Sequence, residues 1–129
     1  MRRINFWLLV LFFGGAGINH FWHPTTYVNI SPPYIPFPEL MVKLSGIAEI
    51  VLSIMFIFKR TRKVSCMLLI VMLVAFLPVH IYMIKMNGCV TGKFCIGPLM
   101  AWLRLPIQFV LIYWIWRTYE SNKNYYLGL

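Results

Sequence analysis

The sequence predicts an all-α integral membrane protein, a bundle of four transmembrane helices. Hydrophobic residues make up 60% of its 129 residues and charged residues 12%, whereas soluble domains contain roughly 45–50% and ~25% of these classes. A soluble fold of this size could not bury so much apolar surface, and a disordered chain would need low hydrophobicity. Four apolar runs have the length of about 20 residues that crosses a bilayer as a helix. The predicted spans of this single domain, residues 1–129, are residues 4–22, 39–58, 64–84 and 97–116.

The first half of the chain predicts two spans joined by an outer loop. Residues 4–22 contain no lysine, arginine, aspartate or glutamate, and their helical length of ~28 Å matches the hydrocarbon core of a bilayer. The outer loop, residues 23–38, holds five of the eight prolines. Because proline fixes φ and donates no backbone hydrogen bond, we predict an ordered, non-helical lid there. The second span starts just after Pro38, a favoured helix-start signal.

The second half of the chain predicts two further spans around a tight inner loop, residues 59–63, and a second outer loop, residues 85–96. Pro78 lies in the third span and Pro106 in the fourth. Each proline removes one i→i−4 hydrogen bond, so both helices are expected to kink. Four spans with short connections predict an up-down-up-down bundle.

The basic residues are divided unevenly between the connections, within a net charge of +9. Eight of them precede the first span, occupy the inner loop or follow the fourth span, whereas the outer connections hold only Lys85 and Lys93. Excess lysine and arginine marks the cytoplasmic side, so both termini are predicted to be cytoplasmic. The surplus is thus a topology signal; the bilayer is the expected partner and nucleic acid is not. The eight residues are Arg2, Arg3, Lys59, Arg60, Arg62, Lys63, Arg117 and Lys123.

Polar residues inside the predicted spans form the candidate functional site, because ionisable groups are costly in a bilayer and are functional candidates by default. By depth, they all belong to the outer half of the bundle: His20, Lys43, Glu49, His80, Arg104 and Gln108. Arg104 is the predicted partner of Glu49, since guanidinium stays charged and binds carboxylate bidentately. Two interpretations remain open, a buried ion pair that fixes helix packing and a proton- or quinone-handling pocket beneath the lid. Lys43, near a helix end, is expected to extend its amine outward.

The cysteines allow a covalent constraint on the second outer loop. Cys89 and Cys95 are six residues apart, and an extracytoplasmic loop permits a disulfide. A free pair and a redox-active pair are the alternatives. Cys66, in the third span, is expected to be an inert apolar residue. The histidine and cysteine spacings suit no zinc site, so no metal is expected.

A family resemblance is carried by segments that occur in order along residues 10–117: Ala16–Pro24, Pro32–Pro36, Leu44–Ile50, Phe76–Met83 and Trp102–Gln108. Together they resemble the DoxX-like family of small four-helix membrane proteins. The family pattern has a histidine at His20, a glutamate at Glu49 and Arg-x-Pro-x-Gln at residues 104–108. Where many relatives have asparagine, this chain has His80, and the segment around Cys89 and Cys95 is an addition to the usual loop. The resemblance implies a multi-pass protein of the bacterial cytoplasmic (inner) membrane with a redox-linked role.

Three functions follow as hypotheses. The first is a non-catalytic membrane subunit or scaffold of a redox, respiratory or oxidative-stress system, with other membrane redox subunits as partners. The second is a quinone-binding oxidoreductase component with its pocket in the outer half of the bundle, which would make quinone the ligand. The third is a small lipid- or solute-binding membrane protein. A transporter role is less favoured, because the chain has four spans and no internal repeat.

Overall fold

The described part of the chain contains α-helices and no strands. The computed structural model describes residues 2–89, 95 and 97–125, with the backbone alone at residue 30. Four stretches are long and apolar enough to cross a membrane, which confirms the all-α prediction and supports a multi-pass membrane protein. The helices of the described residues are α1 Arg2–Trp22, α2 Pro24–Ile30, α3 Pro38–Ile57, α4 Lys59–Ala75, α5 Leu77–Lys85 and α6 Pro98–Asn122.

Prolines begin the helices as the sequence suggests, but one of these helices was not expected. Pro24, Pro38 and Pro98 each lie in the first turn of a helix, where the missing N–H has no intrahelical partner to lose. The prediction of a non-helical lid over residues 23–38 is wrong, because Pro24–Ile30 forms α2. The physical reason is position: Pro24 starts the helix, and the next proline comes only after it ends.

The third span is broken near its predicted proline. α4 ends at Ala75 and α5 begins at Leu77, with Phe76 between them. Pro78 cannot donate to the carbonyl four residues earlier, so the regular hydrogen-bond pattern stops there. The break therefore lies next to the proline at which a kink was predicted. Pro106, in contrast, lies inside α6, which is continuous from Pro98 to Asn122.

The connections at the end of the bundle that holds both termini are shorter than predicted. Residues 59–63, expected to form a loop, are the start of α4, and the chain turns at Phe58 in extended conformation. Lysine and arginine are good helix formers, so the basic run extends the helix. α6 likewise continues past the predicted boundary at residue 116 to Asn122. Lys93, counted among the outer cations, lies outside the described residues.

The helices close into a ring, and the most extensive contact is between α1 and α3. α3 also packs on α4, and α6 packs on α1, α4 and α5. α1 and α3 run antiparallel, since Gly17 meets Gly46 while Gly14 meets Ser53. The short helix α2 packs on α1 and α3. Most of the apolar core lies in the half of the bundle near the termini, where Phe6, Phe56 and Leu69 are fully buried.

A buried arginine joins the helix ends at this half. Arg62 is 1% exposed, and its guanidinium lies over the Phe6 ring at 4.8 Å. Carbonyls at the C-terminal ends of α3 and α6 carry the negative ends of the helix dipoles, which a guanidinium complements. From the sequence, Arg62 was predicted only as one of the basic residues that mark the cytoplasmic side. It donates to the carbonyl oxygens of Phe56 at 2.8 Å, Ile57 at 2.6 Å, Asn122 at 2.7 Å and Tyr125 at 2.9 Å.

Candidate functional site

A cavity of about 350 Å³ lies in the half of the bundle away from the termini. Small-molecule sites have volumes of roughly 300–1,000 Å³, so this space is large enough for a small ligand. The polar residues predicted from depth that line it are His20, Glu49, His80, Arg104 and Gln108. Lys43, the other member of the predicted cluster, is exposed and is not part of the lining.

The close approach of α1 and α3 positions the first wall of the cavity. A Cβ atom added at Gly46 would lie 2.8 Å from the Cβ of His20 and 2.9 Å from the carbonyl oxygen of Gly17. At Gly17 it would lie 2.7 Å from the carbonyl oxygen of Gly46. Small residues allow helix backbones to approach in this way. The glycine pair therefore makes the space in which His20 lies against α3.

Two polar groups of α3 face the imidazole of His20. The ring nitrogen Nδ1 lies 3.1 Å from the carbonyl oxygen of Val42, and Nε2 lies 3.5 Å from Oε2 of Glu49. Val42, Gly46 and Glu49 have the i, i+4, i+7 spacing of one helical face. His20 is 8% exposed and Glu49 is 7% exposed, so the contact is almost completely removed from water.

The hydrogen-bond partners of His20 indicate where hydrogens are expected on its ring and on the carboxyl group of Glu49. A carbonyl oxygen only accepts, so Nδ1 of His20 carries a hydrogen and donates to Val42. A neutral imidazole in that form presents a lone pair at Nε2, facing Glu49. The contact is attractive when one further proton resides on either Nε2 or the carboxyl group, giving an imidazolium–carboxylate pair or a neutral pair. A proton shared between His20 and Glu49 would therefore stabilise this contact.

The predicted ion pair between Glu49 and Arg104 is not formed among the described residues. The glycine-mediated approach of α1 brings His20, not Arg104, to the face of α3 that carries Glu49. Arg104 instead lies near Tyr27 and His80. Depth along the helix axis was predicted from sequence, whereas the partner depends on which faces of the helices meet.

The second polar wall of the cavity comes from α5 and α6. His80 lies beside Arg104 and Gln108. Gln108 donates from Nε2 to the carbonyl oxygen of Leu73 at 2.7 Å, in the last turn of α4 before the break at Phe76. It therefore supplies a donor where the helical hydrogen-bond pattern is interrupted.

Two buried polar atoms that line this cavity make no hydrogen bond within the described part of the chain: Nδ1 of His80, and Oε2 of Glu49, which lies 3.5 Å from Nε2 of His20 without forming a hydrogen bond. Buried polar groups in native proteins are nearly always satisfied. Because both side chains line the same cavity, a guest with polar atoms would satisfy them.

The helix α2 covers the cavity with an aromatic ring. Tyr27 stacks on His20, with ring centroids 4.0 Å apart and an interplanar angle of 16°. Asn19 donates from Nδ2 to the hydroxyl oxygen of Tyr27 at 2.8 Å and accepts from Nδ1 of His23 at 2.8 Å. Tyr27 lies in the segment predicted as a lid, residues 23–38, but was not predicted as a site residue. The four-residue spacing of Asn19, His23 and Tyr27 is the signal that could have indicated a helical continuation.

The cysteines are not among the residues that line this cavity. Cys89 and Cys95 form a disulfide, and the intervening residues 90–94 lie outside the described residues. Cys66 is a buried free thiol. Over residues 2–89, 95 and 97–125, no group of three histidine, cysteine, aspartate or glutamate side chains is arranged to hold a metal ion.

Comparison with known proteins identifies a family without an assigned activity. Residues 9–119 match the family model described as Domain of unknown function (DUF8561), and the chain belongs to this family. No curated protein and no solved structure shows a significant match to the chain. The function is therefore argued from the geometry of the cavity.

Proposed function

We propose that this protein is a quinone-binding component of a membrane redox system, with the quinone head group in the cavity beneath α2. The observation that carries the proposal is the pair of unsatisfied buried atoms, Glu49 Oε2 and His80 Nδ1, in one cavity. A cavity with apolar walls and a few convergent polar groups is the usual form of a small-molecule site.

The chemistry of the walls favours a flat amphipathic ligand. Aromatic rings of Phe12, Phe13 and Phe76 line the cavity together with the guanidinium of Arg104. A quinone head group combines a planar ring, which packs against aromatic side chains, with oxygens that accept hydrogen bonds from a guanidinium. In the reduced form these oxygens are hydroxyl groups, which can also donate to a carboxylate oxygen such as Oε2 of Glu49. Its isoprenoid tail would remain in the hydrocarbon region. The ligand would reach the site from the membrane that the apolar helices are suited to cross.

The His20–Glu49 pair would add proton chemistry to this binding site. A quinone supplies reversible electron and proton transfer when bound. A proton shared between Nε2 of His20 and the carboxyl group of Glu49 would stabilise this pair, because Nδ1 of His20 faces the carbonyl oxygen of Val42. A group with a proton available at one of two atoms suits exchange with a ligand oxygen.

The proposal includes an orientation. Most of the exposed cations lie at the end that holds both chain termini, which favours a cytoplasmic location of that end. The cavity would then lie in the outer half of a bacterial cytoplasmic membrane. The resemblance to DoxX-like proteins supports the same location and the redox role.

The direct test is the quinone content of the protein purified in mild detergent, with a short-chain ubiquinone added in a second series to measure affinity. Arg104→Met should lower the affinity on the order of tenfold, the size expected for a lost hydrogen bond to a charged group. Ala16→Leu should lower it by filling the cavity without changing any charge. Lys43→Met removes a cation outside the cavity and should leave binding unchanged. Equal binding by all four proteins would overturn the proposal.

A role as a subunit of a larger assembly is tested separately. Affinity purification of the tagged protein from its native membranes should recover a redox subunit in a fixed ratio. If the protein is recovered alone with quinone bound, the proposed binding site stands and the proposed partner subunit is contradicted.

A further inference from the structure

The end of the bundle that holds the termini contains a second, strongly basic cleft. Its volume is about 540 Å³ and it lies between the start of α1 and the end of α6. The charged residues that line it are Arg2, Arg3, Arg117, Lys123 and Glu120. Four basic groups and one acidic group give the cleft a net charge of +3.

The acidic residue does not neutralise the arginines. The carboxylate of Glu120 pairs with Lys123, at 3.3 Å between Oε2 and Nζ. Arg3 is held with its guanidinium over the ring of Tyr125 at 5.1 Å, a cation–π contact that leaves its edge donors available. The arginines thus present a concentration of donors that match the geometry of a phosphate group.

The backbone of the cleft is fixed by a buried side chain. Asn122 is 3% exposed; its Nδ2 donates to the carbonyl oxygen of Arg2 at 3.3 Å and to that of Thr118 at 2.9 Å. These bonds tie the first turn of α1 to the last turns of α6. The two arginines of α1 are therefore held in a defined position relative to Arg117.

The position of the cleft along the bundle corresponds to the headgroup region. Trp7 and Trp116 are partly exposed on α1 and α6, just inside the cleft residues of the same helices. Tryptophan is enriched at the boundary between hydrocarbon and headgroups. Arg2 and Arg3, about one turn farther out than Trp7, and Arg117, which directly follows Trp116, would then lie near the depth of lipid phosphates.

We propose that this cleft binds the phosphate group of an anionic phospholipid. Basic pockets between transmembrane helices on the cytoplasmic side are suited to such headgroups. The site is independent of the quinone cavity, which lies in the opposite half of the bundle. Its ligand is recognised by the phosphate and the net negative charge, and phosphatidylglycerol is the simplest lipid with both.

The experiment compares two double variants that remove the same charge from the same end of the bundle. Arg2→Gln with Arg117→Gln changes the cleft, whereas Arg60→Gln with Lys63→Gln changes exposed residues of the first turns of α4 outside it. Native mass spectrometry of protein released from nanodiscs of phosphatidylglycerol and phosphatidylcholine measures retained lipid. Far-ultraviolet circular dichroism confirms that both variants are folded.

The cleft variant should lose phosphatidylglycerol on the order of tenfold, and the α4 variant should retain it. Equal losses in the two variants would mean diffuse attraction to a charged surface and would overturn the proposal, as would retention in both. In a further arm, inorganic phosphate is added to the wild-type protein. Displacement of the lipid by millimolar phosphate would assign the site to a soluble anion and also overturn it.

Discussion

Gly46 and His20 occupy one shared space between α1 and α3, because a Cβ atom at position 46 would come within 2.8 Å of the Cβ of His20. Gly46→Ala should therefore push the imidazole away from Val42 and Glu49 and cost about 1–3 kcal/mol of stability through overpacking. Thermal unfolding in detergent measures this cost. Gly15→Ala is the control, since nothing lies within 4 Å of a Cβ there; it should be neutral or slightly stabilising.

The tautomer of His20 is a second prediction. Because Nδ1 donates to the carbonyl of Val42, nitrogen NMR of labelled protein should show the hydrogen on Nδ1. Glu49→Gln should preserve this tautomer, since the amide can donate to Nε2 and reproduce the form in which the carboxyl group carries the shared proton. A neutral ring with its hydrogen on Nε2 would contradict this prediction.

Removal of the Tyr27 ring should expose His20. The stacked ring covers the imidazole at 4.0 Å, so Tyr27→Ala should increase the rate of carbethoxylation of His20 by diethyl pyrocarbonate several-fold. Mass spectrometry resolves modification at each histidine, and the exposed His23 serves as an internal reference. Tyr34→Ala removes a tyrosine that packs on Tyr82 instead and should leave the rate at His20 unchanged. Equal rates in both variants would mean that α2 does not cover the site.

Arg62→Met should be one of the most destabilising single substitutions in the chain. It leaves carbonyl oxygens of two helix ends without their charged donor, and the expected cost is about 3 kcal/mol or more. Arg60→Met removes the same charge from an exposed position and should change stability by less than about 0.5 kcal/mol. Chemical unfolding in detergent compares the two. Similar stability of both variants would show that the four carbonyls find other donors.

The apolar spans and the depth of the polar groups could be predicted from sequence because both depend on distance along a helix. A span needs a certain number of apolar residues, and Glu49, His80 and Arg104 each lie at a countable distance from a helix end. The same reasoning placed Lys43 in the cluster, although its side chain is exposed. Depth along the axis is a one-dimensional property that a sequence contains directly.

Contacts between helix faces could not be predicted in the same way. The partner of Glu49 depends on the rotation of α1, which the Gly17–Gly46 approach determines. Arg62 belongs to the basic run at residues 59–63, which is typical of exposed charges. Its burial depends on the ends of α3 and α6 meeting around it, which the sequence does not show. Residues 23–38 were predicted to be non-helical because they contain five prolines. The position of each proline matters more than their number, since a proline in the first turn starts a helix rather than preventing one.

The hydrogen bonds of Arg62 can form only in a certain order during synthesis. Two of its acceptors, Phe56 and Ile57, precede it in the chain, whereas Asn122 and Tyr125 follow it by 60 and 63 residues. When the helix pair α3–α4 first forms, the guanidinium therefore has half of its final acceptors. The hydrogen bonds of Arg62 stay incomplete until α6 has been made, so the last helix completes a network that the middle of the chain began.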